Sequence, residues 1–218
     1  MYIHKLNREE NHEKILEFLR RNDFAILVAH DGGKPVASHL LMEIVEDGDD
    51  LFVNGHMSKA NSLWKILEKN DEVLVIFQGS HTYISPTWYD HVNVPTWNYQ
   101  SVHVYGKPRI ITEHDEAYGL LQRLIERHEA GSSYKLETLP RDFVEKEMKG
   151  IVAFQIKVTR MEANYKLSQN RDDKNYRSIV AHLEERTDEL SHGVAEEMKR
   201  NRPSSRSRKA AGLPWHCP

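Results

Sequence analysis

The chain has 218 residues, of which 39% are hydrophobic and 29% are charged, and its formal net charge is −3 at pH 7. This length and composition predict one main domain with a substantial hydrophobic core. No apolar run reaches the roughly 18 residues that cross a bilayer, and a single cysteine, Cys217, excludes an intrachain disulfide. Because the N-terminal segment also lacks a secretory hydrophobic region, we expect a cytoplasmic protein without membrane contact.

The first part of the chain predicts a helix, a β-hairpin and a third strand. Asn7 and Glu10 have the spacing of a capping box, which predicts a helix that ends near Arg21. Apolar runs bounded by turn residues then predict three strands, at 24–30, 35–45 and 51–55. A second helix is predicted to begin near Lys59, with Ser58 as its N-cap.

The second part alternates between strands and helices. Strands are predicted at 73–77, at 99–112 with a bend at Gly106, and at 151–163. Amphipathic helices are predicted at 115–130, 140–150 and 175–200, and Gly193 is the weak point of the last one. Strands joined mostly by hairpins, with helices inserted between them, favour an antiparallel barrel over a doubly wound sheet.

A basic segment stands near the C-terminus. Residues 199–209 carry six basic side chains and no acid, so the rest of the chain is more acidic than the net charge suggests. An acidic body argues against a protein that holds nucleic acid with its whole surface. Basic runs of this kind are typically solvated and disordered, and less often they bind nucleic acid or another polyanion. We predict a disordered basic tail over residues 201–218.

The junction between the third strand and its helix is the first candidate site. Backbone N–H groups at a helix start, the Ser58 hydroxyl and the Lys59 ammonium would converge there. Such a convergence predicts an anion site suited to a phosphate. A capped helix with a surface lysine is the alternative.

Residues 80–106 form the second candidate site. They hold two of the four tryptophans, four of the nine tyrosines and three histidines. Aromatic rings with polar tips occur in core corners, at ligand pockets and at dimer interfaces, and the local sequence leaves these three interpretations open. The histidines lack the spacing of a metal-binding helix, so no metal site is predicted. The common nucleophile elbow and phosphate loops are absent from the sequence, and no catalytic residue is predicted.

Five stretches carry a family resemblance: FAILVAHDGGKPVASHLLMEI, GHMSKANSLW, FQGSHTYISPTWY, VPTWNYQSVHVYG and YKLSQNR. Together they resemble the PaiB family of FMN-binding negative transcriptional regulators, which act on protease synthesis and sporulation. The resemblance extends from residue 1 to about residue 198. It implies a fold that is mainly β with inserted helices (α+β), namely an FMN-binding split β-barrel resembling the pyridoxamine-phosphate-oxidase type. It also implies that FMN binds at the interface of a homodimer.

The resemblance also implies where the cofactor binds. The FMN phosphate would lie at the third-strand junction, with His56, Ser58, Lys59 and Asn61 as its candidate ligands. The flavin ring would lie against the second strand, the end of the fourth strand and the aromatic segment, with Ala37, Ser38, His39, Gln78 and Trp97 as candidates. The second strand departs from the oxidase type, because it offers only His39 where a basic phosphate clamp is usual.

We predict three parts: a split-barrel domain at 1–170, an amphipathic helix at 171–200 packed on the barrel, and the tail at 201–218. The predicted function is a homodimeric, FMN-binding negative regulator of protease and sporulation genes. Direct DNA contact stays open, since no helix-turn-helix pair is visible. The alternative is an FMN-dependent oxidoreductase acting on a small molecule, with indirect effects on transcription. Haem binding through a histidine is a third hypothesis, because related split barrels host haem chemistry.

Overall fold

The computed structural model describes residues 1–202, and these residues form two compact units. The terminal unit contains residues 1–15, 78–102 and those from 162 onward, and the barrel unit contains residues 16–77 and 103–161. Cys217 and nearly all of the predicted basic tail lie outside the described residues. Within residues 1–202, no helix is long and apolar enough to cross a membrane.

Within residues 1–202, seven strands build the sheet. They are β1 (Arg8–Glu9), β2 (Phe24–Asp31), β3 (Lys34–Asp47), β4 (Asp50–Ser58), β5 (Val73–Ile84), β6 (Thr96–Ile111) and β7 (Ile151–Lys166). Their order is β1-β7-β4-β3-β2-β5-β6, and β6 also pairs with β7. This extra pairing closes the series β2 to β7 on itself, as in a barrel.

Alternate side chains of the strands fill the barrel, as the two-residue period of a strand requires. Leu27, Val53, Val75 and Ile156 are among the fully buried ones. Each buried side chain of this size stabilises the fold by about 1.5–3 kcal/mol. At Gly106, where the sequence predicts a bend, β6 approaches β7 closely, since a Cβ at this position would stand 2.5 Å from the carbonyl oxygen of Lys157. The bend itself stays a prediction.

In the described part of the chain, six α-helices join or flank the strands. They are α1 (His12–Arg21), α2 (Leu63–Leu67), α3 (His114–His128), α4 (Arg141–Met148), α5 (Asp173–Glu184) and α6 (Glu189–Arg200). The capping box predicted at Asn7 was wrong, because residues 8 and 9 pair with β7. The helix begins instead after Asn11, whose Oδ1 accepts a hydrogen bond from the Lys14 N–H at 3.0 Å.

The single helix predicted over residues 171–200 is two helices, α5 and α6. The chain turns at residues 185–188, and the Asp188 carboxylate accepts a hydrogen bond from the Ser191 N–H at 2.8 Å. This hydrogen bond caps the start of a new helix, where the first backbone N–H groups have no partner within the helix. Gly193 lies inside α6 and does not mark the break. The predicted division into three parts stays a prediction.

Candidate functional site

A cavity of about 420 Å³ lies in the barrel unit, beside β3, β4 and the start of β7. Its volume falls within the roughly 300–1,000 Å³ of small-molecule sites. The apolar part of its wall consists of Phe24, Leu40, Leu41, Met57 and Ile151. Its polar part consists of His39, His56, Ser58 and Glu147. Three of the nine predicted cofactor-binding residues, His39, His56 and Ser58, therefore line one cavity.

Strand pairing places these side chains. β4 pairs with β7 so that His56 stands opposite Ala153 and Ser58 opposite Ile151. His56 and Ser58 are two residues apart on one strand, so they point to the same face of the sheet. Glu147 and Ile151 could not be assigned to this site from the sequence, because they lie far along the chain from Ser58, which pairs with Ile151 only in the folded sheet.

His56 is a largely buried imidazole, and burial lowers its pKa below the usual 6.5. It is therefore neutral at pH 7, with one ring nitrogen as a donor and the other as an acceptor. Its Nδ1 is inaccessible to solvent and has no hydrogen-bond partner within residues 1–202. A buried polar atom without a partner costs about 1–3 kcal/mol, so a polar ligand atom that reached it would stabilise the protein.

The helix that the sequence places near Lys59 begins only at Leu63, so that prediction was wrong. β4 continues to Ser58, and the Lys59 N–H donates to the carbonyl of Gly150 at 2.8 Å. The next two N–H groups along the chain donate to Ser58 Oγ at 3.3 Å and to the Ser58 carbonyl at 2.9 Å. These three N–H groups therefore already have acceptors within the protein and are not free to bind a phosphate. The positive charge at the junction therefore comes from the exposed Lys59 ammonium, which forms no ion pair with residues 1–202.

Three further predicted cofactor-binding residues lie outside this cavity: Asn61, Ser38 and Ala37. The Asn61 side-chain amide donates to Ser38 Oγ at 2.9 Å, and its oxygen accepts from the Leu63 N–H at 3.0 Å. This pair of bonds fixes the loop after β4 on β3. Ala37 is exposed on β3. None of the three is in the wall of the cavity.

Gln78 and Trp97 lie in the terminal unit, around His81. Gln78 Nε2 is 3.2 Å from His81 Nδ1, and the rings of His81 and Trp97 are 6.2 Å apart. The Tyr83 ring meets the Trp97 ring edge-on at 6.3 Å. Trp97 is 52% exposed and Val94 is 70% exposed. At these positions the aromatic segment is therefore not a buried core corner, and the ligand and interface interpretations stay open.

An exposed apolar sheet face adjoins the cavity. Strand register places on it Ile26, Val28, Ala37, Leu74 and Ile76, which are exposed or half-buried. Phe24, at the same face, is 68% exposed, and its ring stacks on His39 with a centroid distance of 6.1 Å. Contiguous apolar surface of this kind typically marks an interaction site. Among residues 1–202 no group of His, Cys, Asp and Glu side chains is arranged to hold a metal ion.

Comparison with a family model and with known sequences gives matches over most of the chain. A family model described as "Putative FMN-binding domain" matches residues 1–160. The protein named "Protease synthase and sporulation protein PAI 2" from Bacillus subtilis (strain 168) is 39% identical over 201 residues. That alignment covers 91% of this chain and 97% of the Bacillus protein.

Comparison with solved structures supports the fold. The flavocytochrome Anf3 from Azotobacter vinelandii has a TM-score of 0.55 at 15% identity, covering 81% of this chain and 78% of that protein. The FAD and heme binding protein from Mycobacterium smegmatis has a TM-score of 0.56 at 16% identity, covering 73% of both chains. The split-barrel fold predicted from the sequence is confirmed.

Proposed function

Because the chain belongs to the FMN-binding family whose model matches residues 1–160, we propose that it is an FMN-binding homodimer that lowers expression of protease and sporulation genes. FMN, the cofactor predicted from the sequence, is confirmed by the family. The name of the Bacillus relative supports the link to protease synthesis and sporulation. The cavity beside β3 and β4 is the observation that carries the proposal.

The residues around this cavity fit FMN. Apolar side chains offer a surface for the flavin ring, and the unpartnered nitrogen of neutral His56 offers a polar contact. The Ser58 hydroxyl and the neighbouring Lys59 ammonium are the candidates for the phosphate. Glu147 is the one acid in the wall, and its charge disfavours a phosphate close to it. When bound, FMN supplies hydride and electron transfer chemistry.

A second copy of the chain would complete the site. The exposed sheet face with Val28 and Ala37 adjoins the cavity, and Phe24 and His39 belong to both. A two-fold dimer uses the same patch on both subunits, so one self-complementary apolar face is sufficient. The cores of such interfaces are apolar and depleted of charge, which agrees with the side chains on this face.

Regulation is tested by removing the gene from its source organism and measuring transcripts of protease and sporulation genes. We expect these transcripts to rise, and to return to normal when the wild-type protein or the Lys69→Ala variant is restored. The Lys59→Ala variant should fail to restore them, since it loses the proposed phosphate contact. Lys69 is exposed and lies ten positions after Lys59 in the chain, so Lys69→Ala removes the same charge at a different site. Unchanged transcripts would contradict the regulatory proposal.

Direct DNA contact needs a separate experiment. An electrophoretic shift at physiological salt would compare the full chain with a form that lacks residues 199–218, because phosphate contacts depend strongly on salt. A shift that disappears with the deletion would assign DNA contact to the basic end. Turnover of NADPH by the flavin-loaded protein, with no change in transcripts, would favour the oxidoreductase alternative.

A further inference from the structure

A second cavity, of about 400 Å³, lies entirely in the terminal unit. Residues 94–99 form one side, and residues 164–171 form another, with the N-terminal Tyr2 and His4 completing the wall. The first segment belongs to VPTWNYQSVHVYG, and residues 165–171 of the second are YKLSQNR, so both overlap stretches that carry the family resemblance. The proposed flavin site uses neither Lys166 nor Arg171, so the cavity that they line has no assigned role.

The charged side chains in the wall of this cavity are all positive. Lys166 and Arg171 both line the cavity, and no aspartate or glutamate does. Lys166 Nζ donates to Thr96 Oγ1 at 2.6 Å, and the Arg171 guanidinium lies over the ring of Tyr89 at 4.8 Å. Neither cation forms an ion pair with a carboxylate of residues 1–202. Burial, and to a lesser extent the charge of Arg171, lower the pKa of Lys166.

Uncompensated charge in a half-buried wall is costly, and proteins usually pair it. The largely buried Glu43 follows that rule, because its carboxylate forms an ion pair with Arg123. The absence of a counter-charge from the cavity wall therefore points to an anion from outside the described chain. A metal cation is excluded by the same two positive charges.

Several other residues of the wall are polar and are held by hydrogen bonds. Ser168 Oγ donates to Asn98 Oδ1 at 3.0 Å, and Asn164 Nδ2 donates to the Tyr99 hydroxyl at 2.9 Å. Asn164 is 3% exposed, and its Oδ1 has no hydrogen-bond partner within residues 1–202. This oxygen can accept a hydrogen bond from a hydroxyl or an amine, whereas a bare anion has no hydrogen to give.

We propose that this cavity is a second ligand site, which binds a small carboxylate or phosphate through Lys166 and Arg171. The ligand also carries a hydroxyl or amine group, which pairs with Asn164. The inference does not depend on the flavin proposal, because the two cavities share no residue. A charged donor makes a stronger hydrogen bond to an anion than a neutral donor does.

The test is calorimetric titration of the full chain with inorganic phosphate, succinate and malate at millimolar concentrations. Phosphate against succinate distinguishes the two anion types, and malate is succinate with one added hydroxyl. We expect saturable binding of phosphate or of a dicarboxylate, weakened about tenfold or more by Lys166→Met or by Arg171→Met. Lys166→Arg, which keeps the charge, should retain binding, and so should Lys107→Met at an exposed site elsewhere.

Three results would overturn the inference. The first is the absence of saturable binding for all three probes. The second is equal affinity in the wild type and the Lys166→Met variant, with circular dichroism showing that both are folded. The third is displacement of the bound anion by FMN in direct competition, since the cavity would then be part of the flavin site. A preference for malate over succinate that disappears in Asn164→Ala would support the role of the amide.

Discussion

Gly193 of α6 lies against Ser80 of β5 with no room for a side chain. A Cβ at position 193 would stand 2.2 Å from Ser80 Oγ and 2.9 Å from Ser80 Cβ. Glycine therefore lets the helix approach the strand, although it is a poor helix former. We predict that Gly193→Ala lowers the free energy of unfolding by about 1–3 kcal/mol through overpacking, as measured by urea denaturation.

Gly119 provides the matched control for that prediction, because it is also a glycine inside a helix. A Cβ there would meet only Arg123 Nη1, at 3.5 Å, which is ordinary contact. Gly119→Ala should leave the free energy of unfolding unchanged or raise it by about 0.5–1 kcal/mol. Equal effects of the two substitutions would show that α6 does not pack on β5 as described.

Arg123 forms a bidentate ion pair with Glu43. Its Nε donates to Glu43 Oε1 at 2.6 Å, and its Nη2 donates to Glu43 Oε2 at 2.9 Å. The Glu43 side chain is largely buried and also accepts from the Asn54 amide. Arg123→Met leaves this carboxylate without its charged partner, and we predict a loss of about 1–3 kcal/mol in the free energy of unfolding. Lys157→Met breaks an exposed pair with Asp50, and should cost about 0–1 kcal/mol. A smaller loss for Arg123→Met than for Lys157→Met would contradict this ranking.

Most of the strands could be predicted from the sequence, because hairpins depend on local apolar runs and turn residues. The start of α2 at Leu63 could not be predicted. Ser58 stays in β4 because it pairs with Ile151, and pairing across such a distance leaves no local pattern. For the same reason, the sequence does not predict that Glu147 lines the cavity beside β3 and β4. The shared strand face of His56 and Ser58 could not be predicted either, because the sequence predicts that the third strand ends at residue 55, whereas β4 continues to Ser58. The charge of Lys166, which has no carboxylate partner within residues 1–202, likewise becomes visible only when two distant segments meet.

The stability of the protein should depend on pH through His56. Burial lowers the pKa of the folded imidazole, so below about pH 6.5 the unfolded chain binds a proton that the folded chain does not. Stability from this residue is present above that pH and is lost as the pH falls. We predict that the free energy of unfolding falls less between pH 7.5 and 5.5 in His56→Gln than in the wild type.

His114 should act in the opposite direction. A hydrogen bond to Asp115 and the charge of Glu145 raise the pKa of its imidazole, so the folded chain holds the proton more tightly. Stability from His114 is present at low pH and is lost as the pH rises through the raised pKa. His114→Gln should therefore make the fall on acidification steeper. Identical pH profiles for the wild type and both variants would show that neither histidine has the environment described.

The apolar sheet face predicts a dimer. Analytical ultracentrifugation should give the wild type about twice the chain mass of 25.4 kDa. Ala37→Glu places a charge on the face and should give a folded monomer, since an unpaired charge in an interface core is costly. Ala130→Glu makes the same change at an exposed site away from the face and should remain dimeric. A monomeric wild type would contradict the proposed interface.

Titration of the apo protein with FMN, followed by quenching of flavin fluorescence, tests the central claim most directly. We predict saturable quenching by the wild type, and about tenfold to hundredfold weaker binding by Lys59→Ala and by Ser58→Ala, because each loses a contact to the phosphate. Lys69→Ala, with the same loss of charge, should bind like the wild type. Equal affinity in Lys59→Ala, Ser58→Ala and the wild type, or no quenching at all, would contradict the assignment of FMN to the cavity beside β3 and β4.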